Sequence, residues 1–278
     1  MPDQGRSNRV QVAHRLDPAG PTGTWVNTEF SPRQVARVVI EPRADGLGVW
    51  AFGADDLTHK GWGWTDSEAL YAASPSSCDA VAFTAAYEVD SIPVALHANV
   101  SKGLLIVSSF QTRVDSSKSD ALFAREFFRR ANSEVLAPLK MPWSQPAARP
   151  GPTSSSASTF VGTWRNTNSQ TCGIASVSFA ATKETGSTMH VVERDDSSRP
   201  DWGTTAVEFY TEVGTASEPA KIKARFDLGL MEVLLHGWVK QGVLVLALFR
   251  RFKDGIGRSN YFDREFFYRT DEATRSVG

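Results

Sequence analysis

The sequence predicts an all-β protein made of two tandem eight-stranded antiparallel up-and-down barrels joined by a Pro/Ser-rich linker. The chain repeats itself at an offset of 139 residues, each copy divides into eight strand-like segments, and no segment has a convincing helical period. "GTWVNT" at 23–28 returns as "GTWRNT" at 162–167, and 14 of 37 positions are identical between 94–130 and 233–269. This long offset indicates a duplicated domain, not a short solenoid repeat.

The repeat also sets the domain boundaries. The first copy spans residues 23–132 and the second spans residues 161–270, and each is long enough to bury a core. Residues 133–160, which include "PWSQPAARPGPTSSSAS", are predicted to be an exposed linker. Residues 1–22 are predicted to be a flexible N-terminal arm, and residues 271–278 a tail.

Each copy contains eight segments rich in β-branched and aromatic residues, separated by polar clusters such as "KETGS" and "KDGIG". The predicted strands of the first copy are Gly23–Asn27, Gln34–Pro42, Leu47–Gly53, Gly63–Ala72, Ala80–Val89, Ile92–Asn99, Gly103–Thr112 and Ala121–Arg130. Those of the second copy are Phe160–Asn166, Gly173–Ala181, Ser187–Glu193, Trp202–Val213, Pro219–Asp227, Gly229–Val239, Gly242–Phe252 and Ser259–Arg269. Closing eight such strands into a barrel removes unpaired edges, and a β-sandwich of the same strands is the alternative.

The first strand of each copy carries the motif Gly-Thr-Trp, with the indoles at Trp25 and Trp164. This motif on the first of eight antiparallel strands resembles the calycin superfamily, which includes the lipocalins and avidins. The resemblance implies that the Trp closes one end of a barrel and that an arginine near the last strand packs across it. The candidates for that arginine are Arg125 and Arg264, or Arg130 and Arg269.

Composition excludes several classes of partner. The chain has 30 basic and 31 acidic residues, interspersed, for a net charge of −1, so no basic stripe favours nucleic acid. No apolar run approaches the length of a membrane span and no signal segment precedes the first copy, so we expect a cytoplasmic protein without a membrane partner. Cys78 and Cys172 are not matched between the copies, which predicts two buried free thiols and no duplicated disulfide or metal site.

The histidines give no metal signature, and no motif for a cofactor is present. His97 and His236 are matched across the copies and lie mid-strand, in "VALHA" and "LLHGW". One interpretation is a histidine hydrogen-bonded within the barrel wall. The other is a polar group in an apolar cavity that binds a ligand or moves a proton.

Other matched polar residues are also candidates. Tyr71 and Tyr210 are either core residues or hydroxyl donors that line a cavity. Asn27 and Asn166 lie two residues after their Trp, so each shares a strand face with the indole and bonds either to the wall or to a ligand. In avidins the matching asparagine contacts the ligand.

If the arginine of the matched "REFF" run packs on the tryptophan, Glu126 and Glu265 point outward, into solvent or the surface between the copies, and form ordinary salt bridges. Neighbours on a strand point to opposite faces, so the glutamate and the preceding arginine cannot both face inward.

The copies are predicted to have specialised. Trp238 replaces Asn99, two residues from the matched histidine. If that face is inward, the first barrel has the roomier pocket, lined by Asn27, Tyr71, His97 and Asn99, and the second is mainly scaffold.

Three functions stay open at this point. The leading hypothesis is binding of a small, largely apolar organic molecule in a barrel cavity. Its contacts would come from Asn27, Asn99, Asn166, Tyr210 and His236. The second hypothesis is a cofactor-independent cyclase or isomerase acting on such a molecule, for example in bacterial specialised metabolism, with His97 and Tyr71 as acid/base groups. The third is a non-catalytic interaction protein with filled barrels.

Overall fold

The computed structural model describes residues 15–54, 61–115, 118–131, 157–182, 186–193, 201–213, 219–255 and 257–270. The first half has strands β1 (Gly23–Asn27), β2 (Val35–Arg43), β3 (Gly46–Gly53), β4 (Trp64–Ala72), β5 (Ala80–Val89), β6 (Ile92–Ser101), β7 (Leu104–Asp115) and β8 (Lys118–Arg130). The second half has a 3₁₀ turn (Ala157–Thr159) followed by β9 (Gly162–Asn166), β10 (Ile174–Thr182), β11 (Gly186–Glu193), β12 (Asp201–Glu212), β13 (Pro219–Asp227), β14 (Met231–Lys240), β15 (Val243–Phe252) and β16 (Tyr261–Thr270). The chain is all-β, as the sequence predicts.

Within each half the strands pair in sequence order and antiparallel. Every strand from β1 to β8 pairs with its successor, and β1 also pairs with β8, where Trp25 lies opposite Arg130. The second half repeats this arrangement from β9 to β16, where Trp164 lies opposite Arg269. The pairings of each half therefore return to its first strand.

Two short parallel contacts join the halves. Leu122 of β8 lies beside Thr211 of β12, and Ala72 of β4 lies beside Tyr261 of β16. These contacts place all sixteen strands in one hydrogen-bonded sheet. The two contacts are repeat equivalents, because Leu122 corresponds to Tyr261 and Ala72 corresponds to Thr211 at the offset of 139 residues. The junction therefore follows the internal repeat.

Each half has its own apolar core. The buried cluster of the first half runs from Trp25 to Phe128, and that of the second half runs from Phe160 to Phe267. Strand alternation selects the inner face: in β6 this face carries Val94, Leu96 and Ala98. Neither cluster takes a residue from the other half, so each half buries apolar surface independently.

The matched tryptophans lie at the junction of the first and last strand of each half. Trp25 is 1% exposed and donates its indole N–H to the carbonyl of Pro21 at 2.8 Å, and Arg130 lies over the ring, 4.5 Å from its centre. Trp164 and Arg269 repeat this stacking at 4.7 Å. The stacked arginine is therefore the last one of "REFF-x-R" and not its first.

The prediction that the matched glutamates point outward is wrong. Glu126 is 2% exposed, and its carboxylate accepts hydrogen bonds from Asn27 Nδ2 at 3.0 Å and from the backbone N–H groups of Arg33 and Val35. Glu265 bonds Asn166 and the N–H of Ile174 in the same way. The sequence argument failed because it assumed that the inward arginine comes from the same "REFF" run.

Segments at the ends of the copies are more structured than the sequence predicts. Residues 15–22 lie against the first half, with Leu16 buried beside Ala72 and Ala80, although they were expected in the flexible arm. Phe160, the last residue of the predicted linker and the first of the predicted strand Phe160–Asn166, is 1% exposed. Residues 1–14, 133–156 and 271–278 lie outside the described part.

Two smaller expectations concern the thiols and the membrane. Cys78 and Cys172 are free, but both are exposed, so the prediction that they are buried is wrong. In the part of the chain that the structure describes, no helix has the length and hydrophobicity of a membrane span.

Candidate functional site

The matched histidines lie between the two halves and not inside either one. His97 and Asn99 point away from the face of β6 that carries Leu96, because neighbouring strand positions alternate. His236 and Trp238 of β14 likewise lie opposite the face that carries the core residue Leu235. The expectation that this face lines a barrel interior is therefore wrong.

His97 and His236 contact each other directly. His97 Nδ1 lies 2.6 Å from His236 Nε2, and the rings stack 4.6 Å apart with an angle of 14° between their planes. Burial, with the charges of Lys223 and Arg225, lowers the pKa of His97 to about 3, and burial lowers the pKa of His236 well below its ordinary value. Both rings are neutral at neutral pH, so one donates an N–H to the bare nitrogen of the other.

Contact between two repeat-equivalent residues marks an approximate internal two-fold axis. Other contacts obey the same symmetry. Phe110 meets Tyr210 edge-on at 4.9 Å, and the equivalent pair, Phe249 and Tyr71, does so at 5.2 Å. The surfaces that join the halves are therefore two copies of one self-complementary face.

A third symmetric pair shows where the copies differ. Arg264 donates to Asn99 Oδ1 at 2.6 Å, whereas the equivalent Arg125 lies over the ring of Trp238, 5.1 Å from its centre. Lys221 lies over the same ring at 4.1 Å, and burial together with Arg125 lowers the pKa of Lys221 to about 7. Asn99 is thus a bonded contact between the halves and does not line the interior of the first half.

On one side of the axis, a lysine fills the space beside the histidine pair. Lys223 Nζ donates to Tyr210 Oη at 2.8 Å and lies 3.0 Å from Glu208 Oε2, and Tyr210 donates to the same carboxylate at 2.5 Å. Burial alone lowers the pKa of Lys223, but the bonds to Tyr210 and Glu208 raise it above its ordinary value. Lys223 is therefore a charged ammonium in contact with an aromatic hydroxyl and a carboxylate.

On the other side, a cleft of about 120 Å³ lies between the halves. Tyr71 hydrogen-bonds Thr84 there, and burial raises the pKa of Tyr71 to about 12. The polar lining comes from Glu68, Tyr71, Thr84 and His97 of the first half and Arg225, Glu232 and Arg251 of the second, and the apolar lining from Ala69, Leu234 and Phe249. The cleft therefore brings together Tyr71 and His97, the two residues predicted as acid/base groups.

The remaining predicted residues lie elsewhere. Asn27 and Asn166 hold the glutamates described above, and each also donates to a backbone carbonyl, that of Val35 or Ile174, at 2.8 Å. Asn27 borders a second cavity of about 190 Å³ at the connection between β1 and β2. Because its amide hydrogens are already used, this asparagine has little to offer a ligand there.

Sequence reasoning missed a buried ionic cluster in the second half. Arg250 is 2% exposed and lies 3.5 Å from Glu193, 3.6 Å from Asp263 and 3.4 Å from Glu265. Burial raises the pKa of Glu265 to about 7. The repeat position of Arg250 holds Gln111, so this cluster belongs to the second half alone.

A signal for this cluster was present in "VLVLALFRRF". Arg250 is in phase with Leu244, Leu246 and Leu248, which line the core. A charged residue that continues a series of inward-facing apolar residues either buries its charge or marks the end of the core. Here Arg250 is buried and lies over the ring of Trp202, 5.2 Å from its centre.

Comparison with known proteins adds little. No protein-family model matches the chain, and no curated protein matches it. A crystal structure of a protein of unknown function from the DUF3598 family of Nostoc punctiforme PCC 73102 is similar over 90% of this chain and 96% of that chain, at 9% sequence identity and a TM-score of 0.37. So distant a likeness bears neither on function nor on the arrangement of the halves.

Proposed function

We propose that this protein binds a small organic molecule in the cleft between its halves. The observation that carries the proposal is the cleft itself, about 120 Å³ and bordered by hydrogen-bonding groups of both halves. A few converging polar groups in a concave site, some with shifted pKa values, are typical of ligand sites. Tyr71 and His97 supply such groups here.

The proposed ligand is polar. The sequence favours a largely apolar molecule inside a barrel, but the apolar side chains of each half pack into its core. The cleft instead presents two carboxylates and two guanidinium groups, from Glu68, Glu232, Arg225 and Arg251. These packed interiors also fit the third hypothesis, a non-catalytic interaction protein that acts only through its outer surface. The cleft favours ligand binding over that hypothesis.

Binding is favoured over acid/base catalysis by the pKa values of the lining groups. A general acid or base works best with a pKa near the operating pH. His97 has a pKa of about 3 and Tyr71 of about 12, so both stay neutral near pH 7 and act as hydrogen-bonding groups. Glu265 and Lys221, whose pKa values lie near 7, do not line the cleft.

We further propose that each half is a closed barrel of the calycin type. The pairing of β1 with β8 and of β9 with β16 supports closure. The arginine stacked on the first-strand tryptophan, Arg130 on Trp25 and Arg269 on Trp164, supports the calycin resemblance. Under this proposal the ligand site lies between two barrels, whereas the family resemblance predicts a ligand site inside one barrel.

The test is binding of polar metabolites by the full chain, detected by native mass spectrometry after incubation with a small-molecule cell extract. Ala69→Phe, which fills the cleft from β4, should abolish retention of the bound molecule, and Tyr71→Phe should weaken it by about three- to tenfold, the worth of one hydrogen bond. Tyr210→Phe, the matched change on the lysine-filled side, should leave it unchanged. Retention that survives Ala69→Phe would place the ligand elsewhere.

A further inference from the structure

We propose that the cleft receives a primary ammonium group, held where Lys223 lies on the other side of the internal two-fold axis. This inference rests on the proposed function, since it names the ligand class for the same cleft. It is argued from the internal repeat: one of two equivalent sites contains an alkyl ammonium, and the other is a cleft.

The two sites have the same strand pairing at their central residue. Lys223 lies opposite Glu208 on β12 and opposite His236 on β14. Its repeat equivalent, Thr84, lies opposite Ala69 on β4 and opposite His97 on β6. These pairings are the same in both halves, although β4 has a bulge between Ser67 and Ala69 that β12 lacks at the equivalent position. The short side chain of Thr84 leaves the room that the longer Lys223 occupies.

The groups that receive the Lys223 ammonium have equivalents in the cleft. Lys223 bonds the hydroxyl of Tyr210 and lies within 5.7 Å of the ring centre of Phe110. Tyr71 and Phe249 are the repeat equivalents of these two residues, and both line the cleft. An ammonium beside them would find a hydroxyl acceptor and two aromatic faces, which attract cations.

The carboxylate of the lysine site has a substitute as well. Glu208 has Ala69 as its equivalent, but Glu68 and Glu232 both border the cleft. Arg225 bonds Glu232 at 2.5 Å, and Arg251 is the cross-strand neighbour of the same glutamate. Glu68 is then the carboxylate that faces an incoming ammonium. The two carboxylates and two guanidinium groups of the lining cancel, so the cleft with the ammonium bound has one net positive charge.

The probe is n-butylamine, which reproduces the side chain of lysine, with sodium butyrate as the anionic comparison at equal ionic strength. Binding to the full chain is followed by ligand-observed NMR titration, and occupancy is located in soaked crystals. The wild type should bind one butylammonium in the cleft, in preference to butyrate. Thr84→Lys should place this chain's own ammonium in the cleft and weaken butylamine binding at least about tenfold.

The reciprocal variant provides the matched control. Lys223→Thr should open a second cleft and raise the number of bound butylammonium ions from one to two. If Thr84→Lys does not fold, Tyr71→Phe, which keeps the ring and removes the hydroxyl, should still weaken butylamine by about three- to tenfold while Tyr210→Phe does not. Preference for butyrate, no saturable butylamine binding, or binding unaffected by these cleft variants would each overturn the proposal.

Failure of this inference can be told apart from failure of the proposed function. A metabolite that Ala69→Phe displaces and that contains no amine would refute the ammonium assignment and leave cleft binding intact. A chain that retains neither metabolites nor butylamine in the cleft would refute both.

Discussion

Glu126 shows how a single buried residue can organise a connection between strands. Its carboxylate accepts from Asn27 on β1 and from the N–H groups of Arg33 and Val35 at the start of β2. The N–H of Val35 is buried and would otherwise have no partner, a loss that costs more than the bond itself gains. The glutamate therefore fixes the path of the chain between the first two strands, and Glu265 does so in the second half.

We predict that Glu126→Gln destabilises the protein by about 1.5–3 kcal/mol, the range for hydrogen bonds to a charged group, because the new amide turns one acceptor into a donor that faces other donors. The free energy of unfolding from urea titration measures the effect. Glu88→Gln, on an exposed position of β5, is the control and should change stability by less than about 0.5 kcal/mol. Equal effects from both variants would contradict the role assigned to Glu126.

The ionic cluster around Arg250 predicts a pH effect at one residue. Burial raises the pKa of Glu265 to about 7, whereas an unfolded glutamate titrates near about 4.3. A raised carboxyl pKa stabilises the fold below about pH 4.3, and this contribution is lost as pH rises through about 7. The shift corresponds to roughly 3.5 kcal/mol.

Accordingly, Glu265→Gln should flatten the pH dependence of unfolding. Between about pH 4.5 and 8, the difference in unfolding free energy between variant and wild type should shift in favour of the variant by on the order of 3 kcal/mol, whatever its value at about pH 4.5. Burial also raises the pKa of Asp263, so Asp263 still contributes a pH dependence of stability with the same sign. Parallel curves for variant and wild type would show that Glu265 does not titrate in this window.

At the scale of strands, alternation explains both what the sequence predicted and what it missed. Strand type, order and most boundaries followed from β-branched segments and polar turns, because these are local properties. In "VALHANV" the large aliphatic residues Val94, Leu96 and Val100 are in phase, so His97 had to point away from the core. That parity was available in the sequence, but the matched histidines suggested an interior role.

The cleft could not be predicted in the same way. Its walls come from both halves, and no local pattern says that β6 faces β14 across the repeat. The repeat offset does constrain the junction. Once His97 and His236 are known to be in contact, the internal two-fold symmetry predicts which other residues pair across the halves. What the sequence lacked was one long-range contact.

The first strand of each half depends on its tryptophan. Trp164 is 1% exposed, donates to the carbonyl of Phe160 at 2.8 Å and supports Arg269 at the junction of β9 with β16. Trp164→Ala should cost about 3–5 kcal/mol, the usual price of truncating a buried aromatic side chain. Trp64→Ala, at a ring that is 40% exposed on β4, should cost clearly less in the same denaturant titration. A small, equal effect of both would mean that the first strand is held by other contacts.

On the scale of the whole molecule, the halves resemble the subunits of a symmetric dimer that share one chain. Each has a separate core, and their contacts are reciprocal, as in an isologous interface. The junction buries aromatic rings and a neutral histidine pair beside the partly exposed, charged Lys223. Its stability therefore depends on keeping the two imidazoles uncharged.

We predict that residues 15–131 and 157–278, produced as separate chains, associate one to one near about pH 7.5 and separate in acid. In separated halves His97 and His236 would regain a pKa near about 6.5, whereas burial in the junction lowers both values. A lowered histidine pKa stabilises association above about pH 6.5, and the contribution is lost as pH falls below it, because only the separated chains take up protons. Lys223 and Arg225 add positive charge that opposes protonation of the pair.

We expect the Kd to rise by about two to three orders of magnitude between about pH 7.5 and 5. Each histidine contributes about 2 kcal/mol, and the sharing of one proton between the two rings offsets part of the total. Analytical ultracentrifugation of the mixed halves at each pH measures it. Replacing both residues, His97→Gln with His236→Gln, should remove most of this pH dependence. The remainder, a rise in Kd of less than about tenfold toward acid, comes from Lys221, whose pKa is lowered to about 7 at the junction by burial and Arg125. An unchanged Kd for the wild-type halves would mean that protonation of the histidine pair does not weaken the junction.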